Sequence, residues 1–148
     1  MKELVFEVMQ EADGGYTAEA LGESIFTQAD SWDELKANVR EAVQAFYFDS
    51  AAPASVCLHS DSRRGAGRRM KLPRDLSGEE LVKHLSKRWG YVKIHQVGSH
   101  IILQTQHPTS HRIAVPEHKP LRIGTLNAIL SSIAAHKSVS KEAILKDI

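Results

Sequence analysis

The sequence predicts an α+β fold in two halves, β-β-β-α-β followed by α-β-β-β-α, joined by a short linker. Three observations predict it. Short apolar runs bounded by Gly-containing turns mark strands. Two Ser-x-x-Glu patterns, Ser31 with Glu34 and Ser77 with Glu80, mark helix starts. Between the halves, Ser60 to Arg69 (SDSRRGAGRR) has no apolar periodicity, which marks a linker.

In chain order, residues 2–9 (KELVFEVM) mix charge with Leu4, Val5, Phe6 and Val8 and form a first strand. Tyr16–Ala20 and Ser24–Gln28 follow after turns at hairpin spacing, which makes a β-meander. Leu35, Val39, Ala42, Val43 and Phe46 then repeat at helical spacing behind Ser31. Their apolar stripe is expected to pack on one face of the meander. Ala54–His59 returns to the sheet as a fourth strand. Beyond the linker, Ser77 opens a helix over Gly78–Arg88, and Gly90 stops it. Tyr91–Pro116 holds three strands. Lys93, Ile94, Val97, Ile101 and Leu103 read as half-buried, and Gly98-Ser99 is a turn that places His100 first on the next strand, at the mouth of a surface. A basic loop, Pro116–Ile123, leads to a helix opened by Gly124-Thr125, and a last short helix follows Ser140.

The boundaries are therefore 1–59, a linker at 60–70, and 71–148. The first half is near the lower size limit for a self-sufficient core. Charge divides the same way. Residues 1–59 carry eleven acids against three bases, a net of −8, whereas residues 71–148 carry twelve bases against six acids, a net of +6. Seven of the eight His also lie in the second half. An acidic half facing a basic, His-rich half suggests a polyanion binder with a neutralising neighbour. The bland alternative is two solvated surfaces. Cys57 is the single cysteine, so neither an internal disulfide nor a Cys-based zinc site is expected. No long apolar run or leader-like start is present, and a cytoplasmic setting without a membrane partner follows as the expectation. His107 and His111 lie four apart but flank a Pro-Thr-Ser turn, so no metal site and no cofactor are read. Met70 stands like a start residue inside the chain, as if two once-separate proteins had been joined.

Three antiparallel strands with two helices on one face form the layout of double-stranded-RNA-binding domains. Gly98-Ser99-His100, Val115-Pro116, His118-Lys119 and Gly124-Thr125-Leu126 occur there in order. With that pattern, residues 71–148 resemble a HicA-type toxin. Residues 1–59 are similar to the N-terminal domain of a HicB-type antitoxin, a partial RNase H-like fold. The carriers are Gly15–Glu19, Phe26-Thr27-Gln28, and the helix with Trp32–Leu35 and Ala37–Ala42. The resemblance implies a toxin–antitoxin fusion. Its second half would be an mRNA interferase with His100 as catalytic residue, and its first half would bind and mask that site. Masking could act within one chain or between two chains as a homodimer, with the meander's edge strand free to pair two copies. A helix-turn-helix or ribbon-helix-helix module is lacking between the halves, so DNA binding is not expected.

The chemistry can also be argued from the residues. RNA cleavage needs no metal if a base takes the 2′-OH proton and the freed oxygen attacks the adjacent phosphorus. Histidine, with an unperturbed pKa near ~6.5, suits that transfer. Cations must balance charge on the phosphoryl oxygens. Lys93, Lys119 and Arg122 are the candidates, with His118 beside them, and Ser99 would orient the imidazole or hold a phosphate. The expectation is a metal-independent endoribonuclease inhibited in the intact chain. The rival is a non-catalytic RNA-binding module with a regulatory acidic domain.

Overall fold

The computed structural model describes residues 3–60, 72–146 and 148. Except for Ser60, the linker expected at 60–70 lies outside the described residues. Strands β1 (Glu3–Gln10), β2 (Tyr16–Ala20) and β3 (Ser24–Ala29) form the meander, and α1 (Trp32–Phe46) crosses over to β4 (Ser55–Ser60). β4 pairs parallel with β1, which a helical crossover permits and a tight turn does not. The second half runs α2 (Gly78–Arg88), β5 (Val92–Val97), β6 (His100–Thr105), β7 (His111–Pro116), α3 (Ile123–Lys137) and α4 (Lys141–Leu145).

The sequence does not foretell how the halves join. Their strands form one seven-stranded sheet in the order β4-β1-β2-β3-β7-β6-β5. β3 pairs parallel with β7, Ser24 opposite Ile113 and Ile25 opposite Ala114. The meander edge expected to be free for a second copy is thus occupied by a strand of the same chain.

Because side chains alternate along a strand, the merged sheet carries a core on each face. On one face α1 packs Leu35, Val39, Ala42, Val43 and Phe46 against Leu4, Phe6, Val8 and Ile25, and also against Ile102 and Ala114 from the second half. On the other face α2, α3 and α4 pack Leu81, Leu85, Leu126, Ile129, Ile133 and Ile144 against Phe26, Ile101, Leu103, Ile113 and Val115. Ile102 would lie on an open sheet face without α1. Its full burial is worth about 1.5–3 kcal/mol, so covering this face stabilises the junction.

Both expected helix starts are present. Ser77 and Glu80 form the complete reciprocal box. Ser31 accepts from the Glu34 amide, but the Glu34 carboxylate turns back one residue further, to the Asp30 amide. α3 starts at Ile123, one residue before the expected Gly124. The reading of Lys93 and Ile94 as half-buried is corrected, since both are exposed, Ile94 by 37%. β5 is an edge strand with an irregularity between Lys93 and His95, so the inward alternation is lost there.

Candidate active site

Gly98 adopts φ +54°, a left-handed conformation that lets β5 and β6 meet in a tight turn. A Cβ at Gly98 would also overlap the Glu41 carboxylate, so glycine serves the turn and the contact together. The turn hands the chain to Ser99 and His100. The expectation that His100 stands at the mouth of a surface is corrected. Its side chain has no exposed area. It lies on the sheet face that α1 covers, two residues from Ile102.

Both imidazole nitrogens are held by side chains of the first half. Glu41 Oε1 lies 2.8 Å from His100 Nδ1 and accepts from the Ser99 amide and hydroxyl, each at 3.0 Å. Thr27 Oγ1 lies 2.8 Å from His100 Nε2 and is itself fully buried. A carboxylate only accepts, so Nδ1 carries a proton. Burial depresses the His100 pKa below 6.5, and the hydrogen bond and charge of Glu41 only partly offset this, with His118 opposing protonation further. The ring is therefore neutral near neutral pH, and Nε2 accepts from the Thr27 hydroxyl. Burial pushes the Glu41 carboxyl up, but hydrogen bonds from His100 and Ser99 outweigh it and hold its pKa below the usual value.

The other expected site residues scatter around this centre. Ser99 shares Glu41 with His100. Lys93 is exposed and donates to Gln96, whose amide reaches the Gly98 carbonyl and Glu117. Lys119 is exposed. Hydrogen bonds from Ser77, and more weakly the charge of Lys119, hold the Glu80 pKa down. Arg122 is engaged by Glu11, Asp13 and Asp30, and its amide donates to Gln28. Partial burial works against its charge, but bonds to Asp30, Asp13 and Glu11 raise its pKa above the ordinary value. His118 acts electrostatically on His100, and its Nε2 is one of two buried side-chain polar atoms without a partner among the described residues, with Thr125 Oγ1.

Sequence reasoning missed Thr27, Glu41 and Arg112. Arg112 binds Asp49 through two parallel bonds of 2.8 and 2.9 Å and also donates to the Phe46 carbonyl. Phe48 stacks on His95 beside it, at 4.2 Å between centroids. One signal could have marked Glu41. It lies four residues before Ala45 on the helix, on the edge of the buried stripe, where a carboxylate needs a partner. No three His, Cys, Asp or Glu side chains among the described residues converge as a metal-ligand group. No helix among them is long and apolar enough to cross a membrane.

Residues 78–134 match the family model described as HicA toxin of bacterial toxin–antitoxin systems. A UPF0150 protein of Archaeoglobus fulgidus is 49% identical over 49 residues, which are 33% of this chain and 74% of that protein. A UPF0150 protein of Thermotoga maritima is 44% identical over 55 residues, 37% of this chain and 77% of that protein. No solved structure matches the chain. HicA toxins are ribonucleases, and the match supports a general endoribonuclease role with RNA as substrate and an antitoxin as partner. The chain belongs to the UPF0150 protein family and carries a HicA-type toxin domain over residues 78–134.

Proposed function

We propose that the chain is a self-masked endoribonuclease, in which residues 71–148 cut RNA with His100 as general base and residues 1–59 act as a HicB-like antitoxin domain. The observation that carries this reading is the double occupation of His100. Glu41 binds Nδ1 and Thr27 binds Nε2, both across the junction between the halves. The basic lone pair of the neutral ring is on Nε2. Thr27 offers it an alcohol O–H, as the ribose 2′-OH would in an open site. The mask thus imitates the group that the base must deprotonate.

In an open site, His100 Nε2 takes the 2′-OH proton. The 2′-oxygen bonds to the adjacent phosphorus as the bond to the 5′-oxygen breaks, leaving a 2′,3′-cyclic phosphate. Ser99, whose hydroxyl donates to Glu41 in the closed chain, is freed to orient the ring or hold a phosphate, and no metal ion is required. Contacts from the acidic half occupy two arginines of the second half. Asp49 holds Arg112, and Glu11, Asp13 and Asp30 hold Arg122. A phosphate backbone would compete for the same guanidinium groups.

The test weakens the lid in the full-length chain. Glu41→Lys with Asp49→Lys places cations beside His100 and Arg112, and RNA cleavage should rise at least tenfold over the parent. Adding His100→Ala should abolish it. RNA binding without cleavage in both variants would instead support the non-catalytic RNA-binding module.

A further inference from the structure

General-base attack accounts for only half of the proton traffic in RNA cleavage. The 5′-oxygen leaves as a strongly basic alkoxide unless a proton reaches it in the transition state. A second imidazole, His118, follows the strand that pairs with His100, and its Nε2 has no hydrogen-bond partner among the described residues.

His100 lies opposite Pro116 in the β6–β7 ladder, and His118 follows two residues later. The backbone pins it from both sides. The Glu117 amide donates to the Ser99 carbonyl, on the turn that carries His100. The His118 carbonyl accepts from the Gly78 amide at 2.9 Å, at the start of α2. Gly78 is needed there, because a Cβ would overlap the Pro116 carbonyl. β7 ends at Pro116, and the Glu117–Ser99 bond carries the pairing one residue further, so His118 leaves the sheet beside the turn that presents His100. The charge of His118 is felt at His100.

The ring itself is anomalous. His100 Nε2, His111 Nε2 and His84 Nε2 all have hydrogen-bond partners, whereas His118 Nε2 is buried with none among the described residues. A buried nitrogen left unpaired is unfavourable and needs a reason. A catalytic group whose partner arrives with the substrate supplies one.

We propose that His118 is the general acid of the cleavage step, donating from Nε2 to the departing 5′-oxygen while His100 accepts the 2′-OH proton. This rests on the reading of His100 as the base. The P–O2′ bond forms, the P–O5′ bond breaks, and the proton lost by His118 ends on the new 5′-hydroxyl. His100 becomes cationic and His118 neutral, and exchange with water restores both.

The experiment uses the full-length Glu41→Lys/Asp49→Lys chain and two RNA substrates. One is all-oxygen, and the other has sulfur bridging the scissile phosphorus and the 5′-carbon. A thiolate leaves without a proton. His118→Ala and the more conservative His118→Gln should each slow cleavage of the all-oxygen RNA by about 10²-fold and cut the thio-linked RNA at nearly the parent rate. Each should also lose the alkaline limb of its pH–rate profile. His100→Ala should be slow on both substrates. Equal losses on both substrates in the His118 variants, or no loss on either, would overturn the acid role while leaving His100 as base. If the opened chain cuts neither RNA, the ribonuclease reading fails and the acid role falls with it.

Discussion

Glu41 on α1 and His100 on β6 are joined by a 2.8 Å hydrogen bond across the two halves, although 59 residues separate them in the chain. The bond lies where the two halves share a sheet face, so it couples stability to the state of the site. Removing the carboxylate leaves a buried Nδ1–H without its acceptor. Glu41→Ala should therefore destabilise the chain by about 1–3 kcal/mol. In a double-mutant cycle with His100→Ala the two losses should be strongly non-additive, by about 0.5–3 kcal/mol. Urea unfolding of the four chains measures this, and strict additivity would mean that the bond contributes nothing.

Acidification should loosen the fold before the carboxylates titrate. Burial depresses the His100 pKa below 6.5, and it pushes His111 down to about 4, with His136 and Lys137 adding to the effect. Each ring binds its proton more readily when unfolded, so stability rises with pH through the window. The contribution of the neutral rings is whole above the unfolded value and is lost as pH falls, for His111 between about 6.5 and about 4. Tm should fall on going from pH 7 to pH 5. His111 Nδ1 lies 2.8 Å from the Tyr91 hydroxyl and its Nε2 lies 3.0 Å from Ser24 Oγ. His111→Gln should flatten that slope while lowering Tm at pH 7. An unchanged slope would remove His111 from the account.

Gly98→Ala should act on the site through space that only glycine leaves. The added methyl would meet the Glu41 carboxylate, at a position with φ +54°. The left-handed conformation costs about 1–2 kcal/mol for a residue with a Cβ. The variant should be less stable by at least that amount and should release measurable RNA cleavage. A Gly98→Ala chain as stable and as silent as the parent would contradict the contact.

Arg122 gathers three carboxylates while 13% of its side chain is exposed, and Glu11 also accepts from the Gly124 amide. Glu11 is the most sheltered of the three partners, whereas Asp13 and Asp30 are mostly exposed and solvent screens their bonds. Arg122→Met should lower stability by about 1 kcal/mol. The loss should shrink in 1 M salt, where the Debye length is about 3 Å. An equal loss at low and high salt would assign the effect to packing.

Cleavage by the opened chain should survive EDTA. The proposed proton transfers use only imidazoles, so a strict requirement for a divalent ion would refute the scheme.

Much of the local structure could be read from the chain. Ser31 and Ser77 announced their helices, Gly98-Ser99 its turn, and the alternation around Ile101 and Leu103 its strand, because caps, turns and strand faces depend on near neighbours. The Gly-Ser-His turn also singled out His100. The reading failed where a residue's surroundings come from the other half of the chain. Ile94 seemed half-buried until its strand proved to be an edge, and Thr27 carried no mark because one hydroxyl in a strand looks like any other.

The sequence by itself determined the elements, their order, the division of charge and the histidine on the turn, since each is written within a few residues. Only the tertiary structure decided that β3 pairs with β7, that α1 covers the face bearing His100, and that Glu41 and Thr27 hold its two nitrogens. Those contacts join residues up to ninety positions apart. They are selected by complementary shape, hydrogen bonding and burial across two surfaces, and no pattern along one strand or helix encodes them.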